Sequence, residues 1–211
     1  NYKELNEYIS GSINIFTMIM IPVTIITIIY SEDIVSIVFE RGAFSREDVK
    51  LTAYALSFLS LGLLPFSIRQ IFNRAFYALQ DTRTPMINGA VAVGVNIIAD
   101  IILVKHLEVG GLTLATSLSF FASVLFFIIA WRRTMHCSIR DILDFKGLGK
   151  LILSGIPFSI IIWLFNVKGL HFLIATILSG MVYIVILWLF KIKELKVVVS
   201  YLSKRFLNKN T

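Results

Sequence analysis

The sequence is short of cysteine, proline and charge, and each shortage closes off a class of protein. There is one cysteine, Cys137, among 211 residues, so no internal disulfide can form; its neighbours Met135, His136 and Ser138 supply no metal-ligand cluster. His106, His136 and His171 lie in three separate segments, and no H-E-x-x-H pair occurs. Gly147, Gly149 and Lys150 imitate a phosphate-cradling loop only superficially, because Asp144 stands where that loop needs its first glycine. A nucleophile with its base is also absent at usable spacing, so hydrolytic, redox and ATP-driven chemistry find no anchor and no cofactor is expected. Charged residues make up 16% of the chain, against about 25% in an ordinary soluble domain, which argues against a soluble enzyme. The first residue is Asn1 and no secretory leader opens the chain, so a fragment or processed piece is expected.

Long hydrophobic runs take the place of charge. Residues 8–31, 51–68, 84–99, 109–131, 151–167 and 169–190 contain no Asp, Glu, Lys or Arg. Roughly 20 helical residues cover the ~30 Å hydrocarbon core of a bilayer, so each run is about long enough to cross it. The expected fold is therefore all-α and polytopic, with six transmembrane helices. It divides into four spans over 1–131, a basic cytoplasmic linker over 132–150, a transmembrane hairpin over 151–190 and an amphipathic cytoplasmic tail over 191–211.

Charge placement orients the spans. Threaded alternately, they put 15 of the 20 Lys and Arg on the side that holds both chain ends, residues 69–83 and residues 132–150. The positive-inside bias makes that side cytoplasmic, and it explains the net charge of +7 without a nucleic-acid partner. Aromatic rings favour the headgroup level, and Tyr8, Tyr30, Trp131 and Trp188 fall at span ends. In the tail, Ile192, Leu195, Val199, Leu202 and Phe206 repeat every three or four residues. They form one apolar face that would rest on the leaflet, with Lys193, Lys196 and Lys204 near anionic headgroups.

Local signals fill in the loops. Ile34, Val35, Ile37 and Val38 followed by Gly42 predict a short helix along the outer surface that stops at a glycine. Ser45 with Asp48 three residues on predicts a capping box opening the second span, and Gly62 with Pro65 predicts a bend within it.

Polar residues inside the spans are candidates for function. Asn88, Ala92, Asn96 and Asp100 recur every four residues on the third span and form one stripe. Ser57, Ser60 and Ser67 on the second span, and Thr113, Thr116, Ser117 and Ser123 on the fourth, form comparable faces that either pack helices closely or line a wet cavity. Asn88, Asn96 and Asp100 are the candidate cavity-lining residues. An interhelical hydrogen bond would satisfy either asparagine equally well, and Asp100 lies near enough to the outer interface for its charge to be solvated.

Three stretches carry a resemblance. FERGAFSREDVKLTAYAL at 39–56, RAFYALQDTRTP at 74–85 and GGLTLATSL at 110–118 together resemble the carboxyl-terminal half of the MurJ/MviN lipid II flippases. That family lies within the multidrug/oligosaccharidyl-lipid/polysaccharide exporter superfamily. The resemblance implies a fourteen-helix, two-lobed fold of which this chain is the last six helices. It implies alternating-access transport of undecaprenyl-linked peptidoglycan precursor across the bacterial inner membrane, driven by an ion gradient or membrane potential. Its partners would be lipid II, membrane lipids and the upstream helices of the same transporter. The family's cavity arginines fall on those upstream helices. Phe76, Tyr77, Asp81, Thr82, Arg83, Thr84 and Pro85 match the family's cytoplasmic connection, where Asp81 can cap the next helix and the segment could act as a gate. The final helix pair resembles the family's lipid-tail groove. A polysaccharide or drug exporter of the same superfamily and a non-transporting scaffold for cell-wall synthesis are the alternative readings.

Overall fold

The computed structural model describes residues 2–167, 171–196 and 200, and among these it is all-helical. The helices are α1 Tyr2–Ile29, α2 Ser31–Phe39, α3 Arg46–Ser60, α4 Leu63–Ala78, α5 Arg83–Leu107, α6 Val109–Met135, α7 Ile139–Ile142, α8 Phe145–Val167 and α9 Phe172–Leu189. Five of them are long and apolar enough to cross a bilayer alone; α3 and α4 form a sixth span bent by 47°.

The local signals have identifiable physical outcomes. Ser45 accepts from the Asp48 backbone N–H while the Asp48 carboxylate accepts from the Ser45 N–H, so the expected capping box opens α3. Gly42 adopts φ +63 after α2, a backbone region that favours glycine. Helix α2 does not simply lie on a surface, because its Val35 is buried against Val49 and Ala53 of α3.

The bend between α3 and α4 is held by neighbouring helices. Gly62 N–H turns back to the Leu59 carbonyl, so the Phe58 carbonyl loses its usual helical donor. Ser117 of α6 donates to the Phe58 carbonyl at 2.8 Å and lies 3.2 Å from that of Leu59; Thr24 of α1 donates to the Ser60 carbonyl at 3.4 Å. A Cβ on Gly62 would stand 2.8 Å from Ser117 Oγ and 3.1 Å from its Cα, so only glycine admits α6 this closely.

A second freed carbonyl sets the position of the last helix. Pro22 inside α1 has no N–H to give Met18, and the Tyr183 hydroxyl of α9 donates to the Met18 carbonyl at 3.0 Å instead. Met18 and Tyr183 belong to one core with Tyr30, Leu151, Phe158 and Ile162. The α8–α9 pair, expected to be a lipid-facing hairpin, thus buries one face on α1 and exposes Ile152, Ile156, Ile160 and Trp163 on the other. Lys168 and Gly169, expected at its tip, lie outside the described residues. So do Val199, Leu202, Lys204 and Phe206 of the expected tail face.

Two aromatic assignments need correction. Trp131 is 0% exposed, set edge-on against Phe72 and Phe76 in one core with Phe127, and its indole N–H donates to Asn6 Oδ1 at 2.8 Å. Tyr30 is likewise buried, its ring 5.4 Å from that of Phe172. A ring whose polar atom finds a partner or whose faces find other rings gains more from packing than from the headgroup layer. Tyr8 and Trp188, each 68% exposed, are free to sit at that level.

Removing the Tyr183 hydroxyl should leave the Met18 carbonyl buried without a donor, at a cost of about 1–3 kcal/mol. Thermal unfolding in detergent should show Tyr183→Phe destabilised and the exposed control Tyr8→Phe unchanged; equal stability would remove this role for Tyr183.

Candidate functional site

The stripe predicted on the third span lies on α5 and faces α6. The two helices form a hairpin joined by the single residue Glu108, whose φ of 49 turns the chain sharply. Gly111 is required there, since a Cβ would meet the Leu103 carbonyl oxygen at 2.5 Å. Down the seam, Asn88 is fully buried and donates to Ser123 Oγ at 2.7 Å. Asn96 is half-buried and lies 3.4 Å from Thr116 Oγ1, beyond the 2.7–3.2 Å range of a well-made N–H···O bond. Its amide is therefore weakly committed, unlike that of Asn88. Asp100 is half-buried, about 10 Å along α5 from the Leu107 end at 1.5 Å rise per residue. Asn88 Oδ1 and Asp100 Oδ1 are buried with no donor among the described residues, so the seam has spare acceptor capacity for water or for a donor from elsewhere.

The hydroxyl faces serve the backbone. Ser57, Ser60 and Ser67 donate to the carbonyls of Ala53, Ser57 and Leu63 within their own spans, and Ser117 bridges to the bend. A different polar surface went unnoticed in the sequence. Gln70, Arg74 and Tyr77 are exposed on α4, with Arg69 and Asn73 half-exposed beside them. Arg69 stacks its guanidinium 5.8 Å from the centroid of Phe120, in the middle of α6, and its Nε is buried without an acceptor among the described residues. An i, i+3, i+4 count on residues 66–77 carries this signal, which the end of the charge-free run at Ile68 hides.

The segment 74–85 separates into three environments. Phe76 is buried among Phe127 and Trp131. Asp81 caps α5: Oδ1 accepts from the Arg83 and Thr84 N–H groups at 3.0 Å each, and Oδ2 accepts from the Thr84 hydroxyl at 2.6 Å. Pro85 is buried in the first turn, where the N–H that proline lacks would have no helical partner. Tyr77, Thr82 and Arg83 are exposed. Gln80 adopts φ 60, reversing the chain between α4 and α5. Among the described residues no three His, Cys, Asp or Glu side chains come close enough to hold a metal ion.

Long apolar helices, one of them broken and stitched to its neighbours through freed carbonyls, define a multi-pass helical membrane protein. Polar residues lie on the α5–α6 seam and on α4, and also along α1 at Asn6, Asn14 and Thr17. The family model described as lipid II flippase MurJ matches residues 1–173, and the chain belongs to that family. It is 31% identical over 67% of its length to the probable lipid II flippase MurJ of Thermotoga maritima, and 28% identical over 83% to that of Borreliella burgdorferi. A solved structure of lipid II flippase MurJ in an inward closed conformation superposes with a TM-score of 0.78 at 25% identity over 90% of the chain. The chain spans 29%, 36% and 40% of the length of these three proteins, respectively.

The links from Arg83, Thr84 and the Thr84 hydroxyl hold the Asp81 carboxyl below the usual aspartate range, the hydroxyl bond contributing most. Replacing Asp81 with Ala should cost about 1 kcal/mol, a typical loss for a helix cap. Because the folded-state pKa is depressed, the carboxylate's contribution is present above the ordinary value of 3.8 and fades as pH falls through the lower folded-state value. Unfolding midpoints of wild type and Asp81→Ala should therefore converge in strong acid. A constant gap would assign the effect to something other than the ionised cap.

Proposed function

We propose that this chain forms the carboxyl-terminal part of a flippase that carries undecaprenyl-linked peptidoglycan precursor from the cytoplasmic to the outer leaflet of the bacterial inner membrane. Transport proceeds by alternating access, with no covalent chemistry on the substrate. The observation that carries the reading is the family match over residues 1–173, joined to a superposition that spans 40% of a solved lipid II flippase. Six of fourteen helices would occupy about that share. Both ends of the segment lie on the cytoplasmic side, where 15 of the 20 Lys and Arg fall.

In this reading the α5–α6 seam and the polar face of α4 border the transport cavity. Asn96 and Asp100 contribute groups that are not fully engaged, and Asn88 fixes the seam through Ser123. The connection containing Asp81 and Pro85 acts as a cytoplasmic gate whose helix start is kept rigid while the bend at Gly62 absorbs motion. Spans outside this chain supply the cations that grip the headgroup and complete the cavity.

Depletion of the full-length protein tests the function directly. A flippase requires lipid-linked precursor to accumulate in the inner leaflet, whereas a scaffold leaves translocation intact. Within that assay Asn96→Leu should insert and express normally but lower transport about tenfold, the effect of ~1.4 kcal/mol; undiminished transport would retire the cavity role. Orientation is tested at Cys137. Burial pushes its thiol pKa up, so an impermeant maleimide should react slowly at neutral pH and faster as pH rises. It should react only from the cytoplasmic side, and labelling from outside intact cells would reverse the topology.

A further inference from the structure

Where α8 begins and α9 ends, two cavities run into each other. The first, about 220 Å³, is bordered by Lys146 and Lys150 on the first turns of α8 and by Lys191 and Lys193 beyond α9. The second, about 450 Å³, shares Lys191 and Ile192 with it and continues between Trp188, Leu189 and Leu195. A lysine-rich mouth that also holds Asp144 and Glu194 thus opens onto a largely apolar groove bordered by Lys196.

The charge in the first cavity is only partly offset, because Asp144 and Glu194 share its lining with four lysines and leave an excess of two cations. None of its four lysines has an ion-pair partner among the described residues, where Arg46–Glu40 is the ion pair found. Its two carboxylates already have donors: Asp144 Oδ1 accepts from the Gly147 N–H, and Glu194 Oε1 accepts from Asn14 Nδ2 at 2.8 Å. Lys191 also occupies a position that backbone energetics would give to glycine. Its φ is 52, the left-handed turn that ends α9, and the next N–H, of Ile192, closes back on the Leu187 carbonyl at 3.2 Å. A lysine at a glycine position brings a cation to the mouth of the groove at a local conformational cost.

From this arrangement we infer that the corner between α8 and α9 binds the phosphate headgroup of an anionic phospholipid, with an acyl chain lying along Trp188, Leu189 and Leu195. A soluble phosphate would need the lysines alone. The adjoining groove and the exposed Trp188 indole, a ring suited to the headgroup layer, select an amphiphile. A zwitterionic lipid would add its own ammonium group to a lining that already holds two cations in excess. The assignment of the cytoplasmic leaflet rests on the orientation proposed above; the site itself rests only on the bilayer reading.

The test uses the full-length protein in proteoliposomes containing phosphatidylglycerol or phosphatidylcholine with a photoreactive tail, at equal mole fraction. Peptides covering Trp188–Leu195 are read by mass spectrometry. Phosphatidylglycerol should label this stretch at least about five times more than phosphatidylcholine, the preference expected from one surface lysine or more. Lys191→Gly should fold at least as well as wild type, because it relieves the left-handed backbone, and should lower the preference several-fold. Adding Lys146→Gln, Lys150→Gln and Lys193→Gln should bring the two lipids to parity. Equal labelling in the wild type, or a preference untouched by Lys191→Gly, would overturn the site. Loss of phosphatidylglycerol labelling on adding excess inorganic phosphate, at fixed ionic strength, would reassign it to a soluble anion. Precursor translocation measured in the same vesicles reports on the flippase reading separately, since labelling requires no transport.

Discussion

A backbone carbonyl inside a bilayer has no water to accept from, and much of this structure follows from where such carbonyls are freed. Each unsatisfied group costs several kcal/mol in hydrocarbon, so a proline or a helix break must be answered by a side chain. The Met18 carbonyl, released by Pro22, is taken by Tyr183 and that of Phe58 at the α3–α4 bend by Ser117, while Thr24 makes a longer contact of 3.4 Å to that of Ser60. At the end of α1, Asn166 of α8 donates to the Ile29 carbonyl at 3.2 Å. These bonds join helices that are distant in sequence, and between hydrocarbon-facing helices they specify which face meets which. Apolar side chains alone specify little there, since lipid tails are as apolar as leucine.

The same requirement separates polar residues that hold the fold from those left over. Ser117 and Tyr183 are occupied by carbonyls, and the Asn88 amide N–H by Ser123. Arg69, Asn96, Asp100 and the Asn88 amide oxygen retain unused capacity. The first kind permits a bent helix to exist in the membrane, and the second leaves hydrogen-bonding capacity open to water or to a partner from elsewhere. The bend itself is a natural place for motion, since its hydrogen bonds are side-chain bonds that can exchange one carbonyl for another; Ser117 already lies within reach of two.

At the opposite end from the α5–α6 turn, an aromatic cluster ties three spans together. Phe72 and Phe76 of α4, Phe127 and Trp131 of α6, and Asn6 of α1 meet there, and the Asp81 cap begins α5 immediately beyond. The chain reversal at Gln80 is thus anchored on both sides. Phe76 belongs to this fixed cluster, while Tyr77, Thr82 and Arg83 in the same segment are exposed.

By itself the sequence determined the elements whose causes are local. Six charge-free runs specified the crossings because span length and desolvation are properties of contiguous residues. Ser45 with Asp48 specified a cap, Asp81 with Pro85 another, and Gly62 with Pro65 a bend, because each motif closes within a turn or two of helix. Tertiary structure alone decided which helices are neighbours, and with that the meaning of most polar and aromatic residues. Trp131 reads as an interfacial ring until Asn6, 125 residues earlier, accepts its N–H; Tyr183 reads as a lipid-facing ring until Met18, 165 residues away, offers a carbonyl. Asn88 and Asn96 share one stripe and one spacing, yet only the facing residues on α6 engage the amide N–H of the first firmly and leave that of the second loosely held. Periodicity places a side chain on a face, but the energy of a polar group in hydrocarbon depends on the partner opposite, and that partner comes from another part of the chain.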